Sequence, residues 1–119
     1  MKRKIFAVIL ASVMALAAAF TVSAIYDSVN GPYGNGYLNA YGTSGYAGTE
    51  ANEKPIAVSV SLSTNGGSDD CSYNNNTDYP YTWRSAEAYV DASETITSAF
   101  SFHSITTSTG TWSIALPHD

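Results

Sequence analysis

The octapeptide IAVSVSLS, residues 56–63, places Ile56, Val58, Val60 and Leu62 in strict alternation with Ala57, Ser59, Ser61 and Ser63. A two-residue period of large apolar against small polar side chains is a strand with one face on a core. Such a strand cannot bury its face alone, so the rest of the chain must supply pairing strands and a covering layer. In YTWRSAEAYVDAS, Ala86, Ala88, Val90 and Ala92 alternate with Glu87, Tyr89 and Asp91. The small inner residues leave room for large ones opposite. Ile96, Phe100 and Phe102 alternate with Thr97, Ala99, Ser101 and His103, and beyond Thr109-Gly110 the residues Trp112, Ile114 and Leu116 alternate with Thr111, Ser113 and Ala115. This hairpin is expected to close the core with Phe100, Phe102, Trp112, Ile114 and Leu116, leaving His103 toward solvent or a sheet edge.

Upstream, Gly and Asn interrupt residues 25–55 too often for a helix. A strand about Gly36 to Tyr41, a turn at residues 42–45 and a return strand about Tyr46 to Thr49 fit the tyrosines, which favour a half-buried pleated surface; a disordered Tyr/Gly linker is the other reading. TNGGSDDCSYNNNTDYP, residues 64–80, has no period and reads as a long surface loop. Five to six short strands, with no helical period after residue 24, predict an all-β fold, a small antiparallel β-sandwich.

Residues 1–24 carry Lys2, Arg3 and Lys4, then an almost wholly apolar run from Ile5 to Phe20, then the small residues Ser23 and Ala24. This is the pattern of a secretory signal peptide, too short in its apolar run for a spanning helix. Of the 119 residues, the 95 from Ile25 onward then form a single secreted domain at 25–119, with no later segment apolar enough to span a membrane. Those 95 keep only Lys54 and Arg84 against all ten acidic residues, a formal balance of −8. That excludes nucleic acid and anionic membranes as partners held by charge, since both need a basic surface to displace counterions. A single cysteine, Cys71, forbids an internal disulfide, and no His or basic residue stands near it in the sequence to activate it as a nucleophile.

Candidate chemistry is sparse. Zinc wants three or four converging ligands, and the chain offers two scattered histidines, His103 and His118, with one thiol. There is no Gly-x-Ser-x-Gly elbow to aim a serine. Glu87 and Asp91 share one face of a strand, but a glycosidase pair needs a cleft to raise one pKa, and an exposed solubilising face is the better reading. Asp69, Asp70 and Asp78 with Asn74, Asn75 and Asn76 supply oxygens, yet not at calcium-loop spacing. We therefore expect no enzyme, no metal and no cofactor. Aromatic residues give a firmer lead. Tyr73, Tyr79, Tyr81 and Trp83 cluster where the loop enters a strand, with Arg84 adjoining. Exposed rings of this kind carry binding energy at protein, glycan and lipid-headgroup surfaces. Trp83 could equally plug the sandwich. Tyr79, Tyr81, Trp83 and Arg84 are the candidate ligand-binding residues.

From Trp83 onward, the order Trp, then Ala86-x-Ala88-x-Val90, a polar turn, then Ala99 with Phe100 and Phe102 resembles the C-terminal half of the lactococcin 972 family of bacteriocins. The Gly/Tyr-rich stretch followed by AVSV, residues 57–60, is similar to that family's N-terminal half. The resemblance, mainly over Gly36 to Phe102, implies a small exported β-sandwich that binds the cell-wall precursor lipid II and blocks septum formation in related bacteria. Lipid II carries a pyrophosphate, which Lys54, Arg84 or backbone N–H groups would have to meet. The expectation is a secreted, extracellular bacteriocin-like protein whose partner is a bacterial cell-wall component or precursor. A non-enzymatic cell-surface or glycan-binding adhesion module is the alternative.

Overall fold

The computed structural model describes residues 24–75 and 83–118. The proposed signal peptide lies outside these residues except for Ala24, and so do Tyr79 and Tyr81. Among the described residues there are eight strands: β1 (Ile25–Asn30), β2 (Gly34–Tyr41), β3 (Ser44–Ala51), β4 (Ala57–Thr64), β5 (Gly67–Asn74), β6 (Ser85–Asp91), β7 (Ala99–Thr107) and β8 (Gly110–Leu116). They form two four-stranded antiparallel sheets, in the orders β1-β2-β3-β6 and β5-β4-β7-β8. The fold is the all-β sandwich that the alternation predicts. No helix among the described residues is long and apolar enough to cross a membrane.

The expected five to six strands become eight for two local reasons. Residues 25–30 pair with β2, so the Gly/Asn/Tyr stretch is ordered sheet from its start. The expected loop after residue 63 contains β5, joined to β4 through Asn65-Gly66, with Thr64 facing Gly67 across the turn. Asn-Gly is the dipeptide whose backbone matches the twist of a tight hairpin. β5 lacks an apolar period because most of its side chains are exposed.

The two inner faces are complementary in size. The first sheet contributes Leu38 among Ala40, Ala47, Ala51, Ala86 and Ala88, while the second contributes Val58, Val60, Leu62, Ile105 and Leu116. Small residues on one side admit branched chains from the other, so the core closes without a disulfide. Gly42, at φ +64°, makes the two-residue β2–β3 turn that sets this register.

β7 overturns one expectation. Phe100 and Phe102 lie on the outer face, 62% and 49% exposed, whereas His103 is fully buried together with Ala99, Ser101 and Ile105. Pairing explains the inversion. Val58, Val60 and Leu62 of β4 stand directly opposite Ile105, His103 and Ser101. Directly opposed residues share a face, so β4's inward phase forces His103 inside. β8 agrees, since Trp112, Ile114 and Leu116 oppose Ile105, His103 and Ser101. Leu116 is buried, while Trp112 and Ile114 are half-buried against the core.

Candidate functional site

β6 is the edge of the first sheet and runs beside β5, the edge of the second. Its inward phase is Ala86, Ala88 and Val90, and its outward phase is Ser85, Glu87, Tyr89 and Asp91. Alternate backbone groups of β6 turn away from β3, and the Tyr89 N–H is met by the Asp69 carboxylate of β5 at 2.9 Å. A carboxylate on the open strand edge satisfies a donor that would otherwise invite another strand.

On the outer face of the first sheet, the register aligns Tyr26, Asn39, Tyr46 and Tyr89 in one row, with Tyr37 and Glu87 in the next. The rings are in contact: centroids are 5.4 Å apart for Tyr37 and Tyr46 and 4.7 Å apart for Tyr46 and Tyr89. Their hydroxyls form a directed chain. Tyr46 donates to Glu87 Oε2 at 2.9 Å and Tyr89 donates to Glu87 Oε1 at 3.0 Å. Tyr46 has spent its proton, so in the 2.9 Å contact between phenols Tyr37 donates to Tyr46. Burial, reinforced by the bonds to Tyr37 and Glu87, pushes the Tyr46 phenol far above its usual pKa, and the bond to Glu87 raises Tyr89 as well. Both phenols therefore stay protonated donors that fix the Glu87 carboxylate from two sides. Gly48 makes this possible: the Tyr37 hydroxyl lies over it, 2.3 Å from where a Cβ would stand.

Beside this strip, Tyr73 of β5 and Trp83 stack nearly parallel, with ring centroids 4.4 Å apart and planes 13° from each other. Asn75 positions Trp83 by gripping its backbone. The Asn75 side chain accepts from the Trp83 N–H at 2.9 Å and donates to the Trp83 carbonyl at 3.0 Å and the Pro55 carbonyl at 2.8 Å. Trp83 is 41% exposed and Tyr89 59% exposed, so Trp83 forms a wall and does not plug the sandwich. Between them runs an open groove of about 490 Å³ lined by Tyr73, Trp83, Arg84, Glu87 and Tyr89, with Cys71 and Ser85. Arg84 turns its guanidinium to the Asn52 carbonyl.

Two of the four candidate residues, Trp83 and Arg84, meet in this groove; Tyr79 and Tyr81 lie outside the described residues. The sequence reading missed Tyr37, Tyr46, Tyr89 and Glu87 as a set. Each occupies the polar phase of its own strand, a usable signal, but only the register of three strands brings them together.

Two other polar clusters complete the picture. His103 Nδ1 is 2.8 Å from Thr49 Oγ1 and Nε2 is 2.6 Å from Ser101 Oγ, all three residues being buried between the sheets. Burial lowers the imidazole pKa to about 4, with the Gly48 backbone pulling weakly the other way. A neutral ring donates through one nitrogen and accepts through the other, satisfying both hydroxyls while sealed from solvent. The cluster ties the two sheets together. At the opposite edge, the buried Asp27 of β1 receives the backbone N–H and the ring Nδ1 of His118, both on Oδ2 at 2.6 Å. Burial pushes the Asp27 carboxyl up, but the bonds from His118 outweigh it and hold the pKa below the usual value. No three His, Cys, Asp or Glu side chains among the described residues converge on a possible metal position. No family model, no curated protein and no solved structure matches the chain.

Proposed function

We propose that the protein is an exported, non-catalytic module that binds saccharide chains of the bacterial cell wall in the groove between the Tyr73–Trp83 stack and Tyr89. The observation that carries this reading is the pairing of flat, exposed rings with a fixed hydrogen-bond acceptor. Sugar rings offer an apolar C–H face and a rim of hydroxyls; Trp83 and Tyr89 meet the former, Glu87 the latter. Rigid aromatic side chains lose little entropy on binding, which suits a shallow, open site. The resemblance to the lactococcin 972 family supports an antibacterial consequence, since lipid II carries a disaccharide beside its pyrophosphate. Glu87 lines the groove together with Arg84, so the saccharide suits the groove better than the pyrophosphate does.

The test is retention of the purified protein on isolated Gram-positive cell walls. Trp83→Ala is expected to lower retention at least about ten-fold, the size of an aromatic anchor's contribution. Equal retention of wild type and variant would overturn the proposal. Growth and septum microscopy of a bacterial panel then reads the antibacterial consequence: misplaced or missing septa support it, and unaffected growth of every strain removes it while leaving wall binding in place.

A further inference from the structure

Resting on the saccharide reading, we infer that the groove selects sugars bearing free primary amines, a glucosamine polymer in preference to its N-acetylated or acidic counterparts. A carboxylate fixed on the groove, with further carboxylates on the strands around it, argues this. Glu87 holds its carboxylate in place through two phenols and keeps accepting capacity on both oxygens. Tyr46 and Tyr89 reach Glu87 through their hydroxyls, so an ammonium at Glu87 meets a carboxylate held in place at the edge of the aromatic strip. Asp69 adds a second carboxylate at the Tyr89 backbone, and the outer phases of β3 and β6 add Glu50 and Asp91. Against these stands Arg84, a lining residue that keeps its positive charge while its guanidinium donates to the Asn52 carbonyl.

The long-range field has the same sign. Two cations against ten acids beyond residue 24 attract a polycationic chain and repel uronate or phosphate polymers. A lysine-rich peptide shares the charge but offers no flat C–H face to the Tyr73–Trp83 stack, which singles out the saccharide. An acetamido group, being neutral, gains nothing from Glu87 beyond a hydrogen bond.

The experiment is calorimetric titration of the purified protein at about pH 5.5, where carboxylates are ionised and sugar amines protonated. The probes are a glucosamine hexamer, its N-acetylated counterpart and an oligolysine of equal charge. The amine hexamer is expected to bind about ten-fold tighter than the acetylated one, with the advantage shrinking as salt rises. Glu87→Gln, checked for an unchanged circular dichroism spectrum, should collapse that ratio to about two-fold. Equal affinity of wild type for the two hexamers would overturn the amine preference and leave saccharide binding standing. Oligolysine binding as tightly as the amine hexamer would also overturn it, by reducing recognition to charge. Failure of both hexamers to bind, together with loss of cell-wall retention, would remove the saccharide reading itself.

Discussion

The two outer faces of the sandwich are built from different chemistry on the same pleat. The first sheet presents Tyr26, Tyr37, Tyr41, Tyr46 and Tyr89, with Tyr46 and Tyr89 joined through Glu87 and Tyr37 joined to Tyr46. The second presents small hydroxyls, with Ser72, Ser59, Ser104 and Ser113 aligned across four strands, and two phenylalanines standing clear of them. Phenols that share protons and a carboxylate make a pre-organised surface, whereas serines at sheet spacing barely reach one another; Ser113 and Ser104 are 3.3 Å apart. The contrast teaches that exposed aromatic area alone does not mark a site. Phe100 is as exposed as Tyr89 and Phe102 somewhat less, but neither ring can hydrogen-bond to a neighbour as the phenols do to Glu87.

The sharpest way to break this comparison is to test which phase of β7 is inside. Ile105→Ala should cost about 2–5 kcal/mol, as deletion of a fully buried branched chain does, while Phe102→Ala should cost less than about 1 kcal/mol. Thermal midpoints compare the two, and the reverse order would mean that the second sheet's outer face has been misassigned. Next comes pH. A folded-state imidazole pKa of about 4 lies below the ordinary 6.5, so the unfolded chain binds the extra proton first. The stability involved is fully present above pH 6.5 and is lost as pH falls toward 4, about 3 kcal/mol in all. Denaturant titrations across that window should show the slope in wild type and lose it in His103→Gln. Asp27 acts in a lower window, since its depressed pKa withdraws stability only as pH falls below about 3.8. A smaller effect is expected at Gly36, where an added Cβ would stand 2.7 Å from His103 Cγ. Gly36→Ala should cost about 1–3 kcal/mol by overpacking, read from the denaturation midpoint. Smallest of all, Ser59→Ala on the second sheet's outer face should change stability by no more than about 0.5 kcal/mol and leave cell-wall retention unaltered.

How far the fold could be read from the sequence follows from what a period contains. Alternation at Val58, Val60 and Leu62, and at Ala86, Ala88 and Val90, identified both strand and inner face, because only one phase was apolar. In β7 both phases carry large side chains, Phe100 and Phe102 in one, His103 and Ile105 in the other, and local hydrophobicity favours the wrong one. The missing information was the register. A two-residue turn at Ser108-Thr109 sets Trp112 opposite Ile105 and Ile114 opposite His103, so Trp112 and Phe102 cannot share a face. The same limit hid most of the site. Trp83 announces itself by its type, but Tyr37, Tyr46 and Tyr89 become neighbours only through two strand pairings of different sequence separation. The Asn65-Gly66 hairpin was read as part of a surface loop, and β5 was missed with it because a strand that buries little leaves no apolar rhythm.

The Asp27–His118 clasp joins the first strand of one sheet to the residue just beyond the last strand of the other. β1 and β8 lie at one flank of the sandwich, β5 and β6 with the groove at the opposite flank. Ile25 and His118 thus lie together at the flank away from the groove. A handle, a second domain or a solid support attached beside Ile25 or His118 leaves the aromatic wall uncovered, so the unit is suited to display and to tandem linkage without redesign of the groove.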